Sequence, residues 1–363
     1  MTTIVLSAGG TGGHLFPAQA LAAELARRGR TIVLMTDRRG RNYGAAFSGA
    51  AVETVPSASP SNTNAIGRVL WPLRVLAGVF VGVRKLTCLK PAIVIGFGGY
   101  PSLPVMLAAW FAGLPTVIHE QNAVLGRVNR LVANRMRAVA ASFPLQRFAP
   151  KNSNRIRYTG NPVRTEAIAL AHAPYEPPTE NGPIRLLVFG GSQGARALSE
   201  IVPAALAMLP QDVRARLEIV QQSRPEDILS VEADYLEAGI QAKVAEFFND
   251  LPRCMAAAHL VISRSGASTV SELAVIGRPA ILIPYPFATD DHQTANASVL
   301  ANAGAAWLIP QRDLTADKLL TLLAKLFANP EELAKRSEAA ASLGKPDAAQ
   351  RLADLVDEIG GAA

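Results

Sequence analysis

The stretch Thr3 to Pro17, TIVLSAGGTGGHLFP, decides how the rest of the chain is read. Ile4, Val5 and Leu6 form a short apolar run suited to a buried parallel strand, and Gly9, Gly10, Gly12 and Gly13 follow at once. Pro17 suits the first turn of a helix and Ala18 to Arg28 are mostly good helix formers, so the order predicted is strand, glycine loop, helix. Such a corner binds anions. Glycine lets the backbone come close, and free N–H groups at the positive end of a helix attract phosphate. His14 sits in this corner, either as a base or donor or as a residue that caps the helix, and the local sequence leaves both open.

The design recurs further on. Ile184 to Phe189 reads as the next core strand, and GGSQGARAL, Gly190 to Leu198, follows it directly. In a chain of 363 residues, two such openings predict an α/β protein of two Rossmann-like halves with a cleft between them. The first half is expected to end near Arg164, and HAPYEPPTENGP, His172 to Pro183, reads as a surface loop before the second. Further strands are expected at Thr31 to Thr36, Leu217 to Gln221, around Lys243 to Phe247, Leu260 to Ser263 and Ala280 to Pro284, with a helix at Leu251 to Ala258. The last helix, Asp347 to Ile359, is amphipathic and compatible with packing on either half.

Charge divides the chain unevenly. Residues 1–164 carry 20 Lys and Arg against four Asp and Glu, a net of +16, whereas the remainder carries 16 against 25, a net of −9. An anionic partner is therefore expected for the first half: nucleic acid, an anionic membrane surface or a phosphorylated substrate. Only Cys88 and Cys254 are present, without metal-site spacing, which suits a reducing compartment. No basic residue precedes the first apolar run, which argues against a signal peptide.

Pro91 to Ile118 has no charged residue, but its glycines and prolines break it into strand Ala92 to Ile95, helix Leu103 to Ala112 and strand Thr116 to His119 rather than a membrane span. Before it, Ala65 to Lys85 has helical spacing. Ile66, Val69, Leu70, Leu73, Leu76, Ala77, Phe80 and Val83 are expected to face the core. That leaves Trp71, Val75 and Val79 outward beside Arg68, Arg74 and Lys85, a surface suited to an anionic membrane.

Several chemistries can be set aside. Asp37 ends the second strand where a ribose-binding acid would sit in a dinucleotide enzyme, yet glycines at 9, 10, 12 and 13 give no G-x-G-x-x-G register. GGSQGAR lacks the Gly-Lys-Ser/Thr ending of a triphosphate loop. The basic half shows no nucleic-acid-binding motif, so no nucleic-acid partner is expected.

Seven segments in order, GGTGGH (Gly9 to His14), GFGGYPS (Gly96 to Ser102), HEQN (His119 to Asn122), GNPVR (Gly160 to Arg164), GGSQGA (Gly190 to Ala195), RSGASTVSE (Arg264 to Glu272) and DHQTANA (Asp291 to Ala297), resemble a known family. It is the lipid-linked N-acetylglucosaminyltransferases of bacterial peptidoglycan synthesis, and the resemblance covers nearly the whole chain. It implies a GT-B fold: an acceptor- and membrane-binding domain 1–164, joined by the C-terminal helix 345–363, and a UDP-sugar donor-binding domain 165–344. The implied reaction moves N-acetylglucosamine from UDP-N-acetylglucosamine to the C4 hydroxyl of muramic acid in undecaprenyl-linked lipid I, with inversion. The implied location is peripheral, on the cytoplasmic face of the cell membrane.

The resemblance also implies roles for single residues. Glu272, in a helix that starts with Ala267, Ser268 and Thr269, accepts the ribose hydroxyls of UDP. Ser192 and the GGSQGA amides meet the diphosphate, Arg164 neutralises it, Phe248 sets backbone against uracil, and Gln293 rather than His292 contacts the sugar, with Asn296 a further candidate. In the first domain Thr11, Gly12 and Gly13 form the contact loop, Asn122 meets the donor sugar, and His14 is the candidate base with Glu120 its rival. No Asp-x-Asp pair occurs, so neither a metal nor another cofactor is expected, and a helix N-terminus and Arg164 would stabilise the leaving group.

Overall fold

The computed structural model describes residues 2–9, 12–38, 40, 47, 49–58, 65–171, 173–191 and 194–361; the side chains of 65–70 are outside the description. Thr11 and Ser192 lie outside the described residues. The chain divides into two compact units, Met1–Arg164 with Pro346–Ala363, and Thr165–Lys345.

In the first unit the strands are β1 (Thr3–Ser7), β2 (Thr31–Thr36), β3 (Ala51–Thr54), β4 (Ile93–Gly96), β5 (Thr116–Glu120), β6 (Ala138–Ala141) and β7 (Ile156–Tyr158). They pair in the order β3-β2-β1-β4-β5-β6-β7, all parallel. Parallel sheets are covered on both faces, which is why Val5, Leu6, Val94, Ile95, Val117 and Ile118 are continuous apolar runs without access to solvent. Helix α1 (Gly12–Arg27) and the last helix cover one face; α2 (Ala65–Leu89), α3 (Ser102–Phe111) and α4 (Arg127–Val132) cover the other.

The second unit has β8 (Ile184–Phe189), β9 (Leu217–Gln222), β10 (Gln241–Ala245), β11 (Leu260–Ser263), β12 (Ala280–Leu282) and β13 (Ala306–Leu308). Their order is β10-β9-β8-β11-β12-β13, again parallel throughout. In each sheet the strand order reverses once, between β1 and β4 and between β8 and β11. Loops at the carboxyl ends of those strands flank a topological switch point, where open α/β sheets bind ligands. The glycine loops after β1 and β8 are both placed there.

Three expectations are corrected. Helix α1 starts at Gly12, so Pro17 lies inside it rather than in its first turn, and His14 belongs to the helix. Two glycines open the helix a turn early, and the proline forgoes only the bond its nitrogen would make to the Gly13 carbonyl.

The last helix (Ala348–Gly360) takes one side: Leu352, Leu355 and Val356 join the core beside α1, while Arg28 pairs with Asp354 and Asp357. With its four acidic residues counted in, the first unit has a net charge of +13 and the second −6, so the excess is smaller than the linear count gave.

Helix α2 faces the opposite way to its expected orientation. Val75 is 7% exposed, and Trp71 and Val79 are half-buried against the same core, whereas Leu76 and Phe80 are 63% and 74% exposed and Leu73 is exposed with them. Glycines decide this. A Cβ at Gly78 would lie 2.1 Å from the Pro56 carbonyl oxygen and one at Gly82 would lie 2.8 Å from Ala108 Cβ, so α2 approaches α3 along its Val75, Gly78, Val79, Gly82 stripe. The Trp71 indole donates to the Ala58 carbonyl at 3.0 Å, and Lys85 is held by an ion pair with Glu53. Of the four residues expected to face a membrane, Trp71, Val75 and Val79 turn inward and Arg74 alone is exposed.

Candidate active site

At the first switch point the loop after β1 and the loop after β4, Phe97 to Pro101, lie against each other. A Cβ at Gly9 would come within 2.7 Å of Pro101 Cγ, and one at Gly99, where φ is +73°, within 2.6 Å of the Gly9 oxygen. Both positions thus need glycine. His14, half-buried in the first turn of α1, presents its ring to this loop: the Gly99 Cβ position is 3.2 Å from its Cδ2. Its Nδ1 lies 3.3 Å from Oε1 of Gln121, at the end of β5.

Glu120, 1% exposed, is engaged elsewhere. Its carboxylate accepts from Gly126 N (2.7 Å), Asn129 Nδ2 (2.8 Å), Asn122 N (3.1 Å) and Asn122 Nδ2 (3.2 Å). Four donors occupy its roughly four lone-pair sites, so it organises the loop that carries Asn122. The buried His119 ring packs 5.4 Å from Phe97, and desolvation pushes its pKa down to about 4.

At the second switch point, Gly190, Gly191 and Gly194 of the loop after β8 keep the backbone tight. A Cβ at Gly190 would lie 2.3 Å from Gly194 C, and Gly191 and Gly194 have φ of +83° and +66°. After β11, Gly266 adopts extended backbone and starts the helix Ala267–Ile276, with Ser268 and Thr269 half-buried in its first turn and Glu272 buried in the next. The first-turn N–H groups of such a helix have no intrahelical acceptor, which makes the end suited to an anion.

Gln293 bridges two loops. Its Oε1 accepts from Ser265 N (3.3 Å) and Tyr285 N (2.9 Å), and its carbonyl accepts from the Ser265 hydroxyl (2.8 Å). Asn296, fully buried, donates to the Ser265 carbonyl at 3.1 Å. His292 Nδ1 donates to the Thr289 carbonyl at 2.8 Å, which leaves Nε2 as its acceptor nitrogen. Phe248 is buried beneath Lys243, whose Nζ is 5.6 Å from the ring centre, and Arg164 is half-buried at the last residue of the first unit.

Sequence reasoning gave no role to Arg264 or Gln121. Arg264 is buried and donates to the Ile283 and Pro284 carbonyls and to Gln311 Oε1, tying the end of β12 to the segment after β13; burial holds its pKa below the usual guanidinium value. Gln121 had a readable signal. His119 and Gln121 are two apart at the end of a buried strand, hence on one side of it, and two polar side chains pointing together out of an apolar run need partners.

Residues 4–141 match the glycosyltransferase family 28 N-terminal domain and residues 185–352 its C-terminal domain. A UDP-N-acetylglucosamine--N-acetylmuramyl-(pentapeptide) pyrophosphoryl-undecaprenol N-acetylglucosamine transferase from Rhodospirillum centenum is 51% identical over 98% of this chain and 94% of its own length. The protein of that name from Paramagnetospirillum magneticum is 49% identical over 97% and 95%. The crystal structure of Acinetobacter baumannii MurG superposes with a TM-score of 0.82 at 31% identity, covering 99% of this chain and all of that one. The chain belongs to glycosyltransferase family 28 and has the two-domain GT-B fold.

Proposed function

We propose that this family 28 glycosyltransferase transfers N-acetylglucosamine from UDP-N-acetylglucosamine to the C4 hydroxyl of muramic acid in undecaprenyl-diphospho-muramoyl-pentapeptide, with inversion. The observation that supports this most is identity near one half, over almost the full length, to relatives named for that transfer.

In the first unit His14 is the base. Its ring nitrogen takes the C4 proton as the oxygen forms a bond to the anomeric carbon, and the bond from that carbon to the UDP β-phosphate oxygen breaks with its electron pair leaving on UDP. Glu120, with its oxygens engaged by four N–H groups, orients Asn122 towards the donor sugar rather than acting as base. Gly12 and Gly13, the first residues of α1, lie just before the base, and a contact role for Thr11 is part of the same proposal.

In the second unit Glu272 accepts from the ribose hydroxyls. The helix start at Ala267, Ser268 and Thr269, with Ser192 and the GGSQGA amides, takes the diphosphate, and backbone groups at Phe248 meet uracil. Gln293, whose oxygen is occupied by backbone donors, has its amide N–H groups to offer the sugar. Arg164 neutralises the departing diphosphate.

The membrane surface is the outward face of α2 with its neighbours: Leu73, Leu76 and Phe80, then Trp110, Phe111 and Leu131, with exposed Arg74, Arg84, Arg127 and Arg135 among them. Large apolar side chains among cations suit the interface of an anionic bilayer. No helix among the described residues is long and apolar enough to cross a membrane, and the proposed location is peripheral, at the cytoplasmic face of the cell membrane.

The test is release of UDP from UDP-N-acetylglucosamine with and without a lipid I analogue. Acceptor-dependent release is expected. Stabilisation by UDP without any acceptor-dependent release would remove lipid I as the acceptor.

A further inference from the structure

Gln121 stands at the centre of a chain of polar contacts whose proton positions can be deduced. Its Nε2 is 3.0 Å from the Phe97 carbonyl oxygen and 3.2 Å from His119 Nδ1, and its Oε1 is 3.3 Å from His14 Nδ1. His119 Nε2 in turn is 3.2 Å from the Gly160 carbonyl oxygen and 3.5 Å from the Ser142 hydroxyl.

Carbonyl oxygens only accept, so the two at the ends of the chain fix what lies between. Gly160 requires the proton of a neutral His119 on Nε2, which leaves a lone pair at Nδ1. Phe97 requires the NH2 end of the Gln121 amide, and the second N–H of that group meets the lone pair of His119. The amide oxygen is then the atom that faces His14, and the His14 nitrogen opposite it must carry a proton. We infer that Gln121, itself locked by Phe97 and His119, is a positioning residue that holds His14 as the Nδ1–H tautomer and so presents its Nε2 lone pair as the base. This rests on the reading of His14 as the base.

The surroundings reinforce the geometry. Gln121 is buried and His119 is fully so, packed against the Phe97 ring. Desolvation keeps His119 neutral through the physiological range, and a proton on its Nδ1 would confront the Gln121 N–H. The partner offered to His14 is a neutral amide rather than a carboxylate, so it sets the tautomer without placing a charge beside the ring.

The first measurement is the tautomer itself, read from the nitrogen-15 ring shifts and proton couplings of His14 in the wild-type protein at neutral pH, with the signal assigned by its loss in His14→Gln. A proton on Nδ1 is expected; a proton on Nε2 would overturn the inference, whatever the enzyme's activity. Gln121→Met keeps the length and removes both hydrogen-bonding ends. It is expected to lower kcat at least about tenfold with the donor KM within about twofold, and to give His14 a mixture of tautomers. Gln121→Glu retains an oxygen acceptor towards His14 Nδ1 and is expected to keep the Nδ1–H signal of His14 unmixed, while it gives up the donors to Phe97 and His119. An unchanged kcat and an unmixed Nδ1–H signal in Gln121→Met would assign the tautomer to something else. If instead His14→Ala turned over normally while the wild-type ring was Nδ1–H, the base assignment would fall and the positioning would stand.

Discussion

The two units repeat one plan and surround it with different chemistry. Each has a parallel sheet, a glycine loop after the strand at which the order reverses, and a helix behind the loop. In the first, the switch point is lined by a histidine held through a glutamine and a buried carboxylate saturated by N–H donors. In the second it is lined by a helix start, two tight glycine turns and amide groups that bridge loops. The first arrangement suits moving a proton and the second suits holding an anion. Charge follows the same division, at +13 against −6. The fold supplies the location; the grafted side chains supply the chemistry.

If that division is right, substitutions in the two units should fail in different ways. His14→Ala is expected to lower kcat by about 10²- to 10⁴-fold with UDP binding unchanged. Glu272→Ala is expected to weaken UDP binding by about tenfold or more. Steady-state kinetics and UDP titration of both variants check this, and equal loss of donor binding in the two would merge the roles.

Acid should weaken both units alike. His119 in the first and His259 in the second, which accepts the Arg185 N–H at 3.0 Å, are both lowered by burial to about 4. Unfolded histidine takes up its proton near pH 6.5 while the native rings stay neutral until about 4. Stability therefore falls as pH drops through this window, by up to about 3 kcal/mol for each ring. Urea unfolding at pH 7 and pH 4.5 reads it, and the slope should flatten by a similar amount in His119→Asn and in His259→Asn.

The glycine loops distinguish the units on a smaller scale. A Cβ at Gly190 meets backbone, whereas one at Gly9 meets the Pro101 ring and the Thr36 hydroxyl. Gly190→Ala should cost about 2–3 kcal/mol and Gly9→Ala about 1–2, compared by unfolding midpoints. The smallest effect is expected at the outward face of α2. Leu76→Ser with Phe80→Ser should weaken binding to anionic vesicles by about tenfold while Tm moves little, because both side chains are already exposed. Trp71→Ser, pointing inward, should do the reverse.

How far the sequence could be read differs between elements for physical reasons. β2, β8 and β11 end close to where the apolar runs end, because a strand largely buried on both faces is mostly apolar and its boundaries follow composition. Helix α2 defeated the same logic. It is apolar nearly all round, and counting large side chains selected Leu73, Leu76 and Phe80 as the core face, when the buried face is the one whose glycines allow the closest approach to α3. At the site, the glycine loops were legible because tight turns and close backbone approach demand glycine. Gln121 was passed over: its alternation with His119 marked it as needing partners, but nothing local shows that one of them is His14, 107 positions away.

The sequence by itself determined the α/β class, the two glycine corners and the residues able to do acid–base and anion-binding chemistry, since these depend on backbone conformational limits and on chemical groups each residue carries alone. Tertiary structure alone decided which face of α2 reaches solvent and which nitrogen of His14 meets Gln121. Both depend on the distance between groups far apart in the chain.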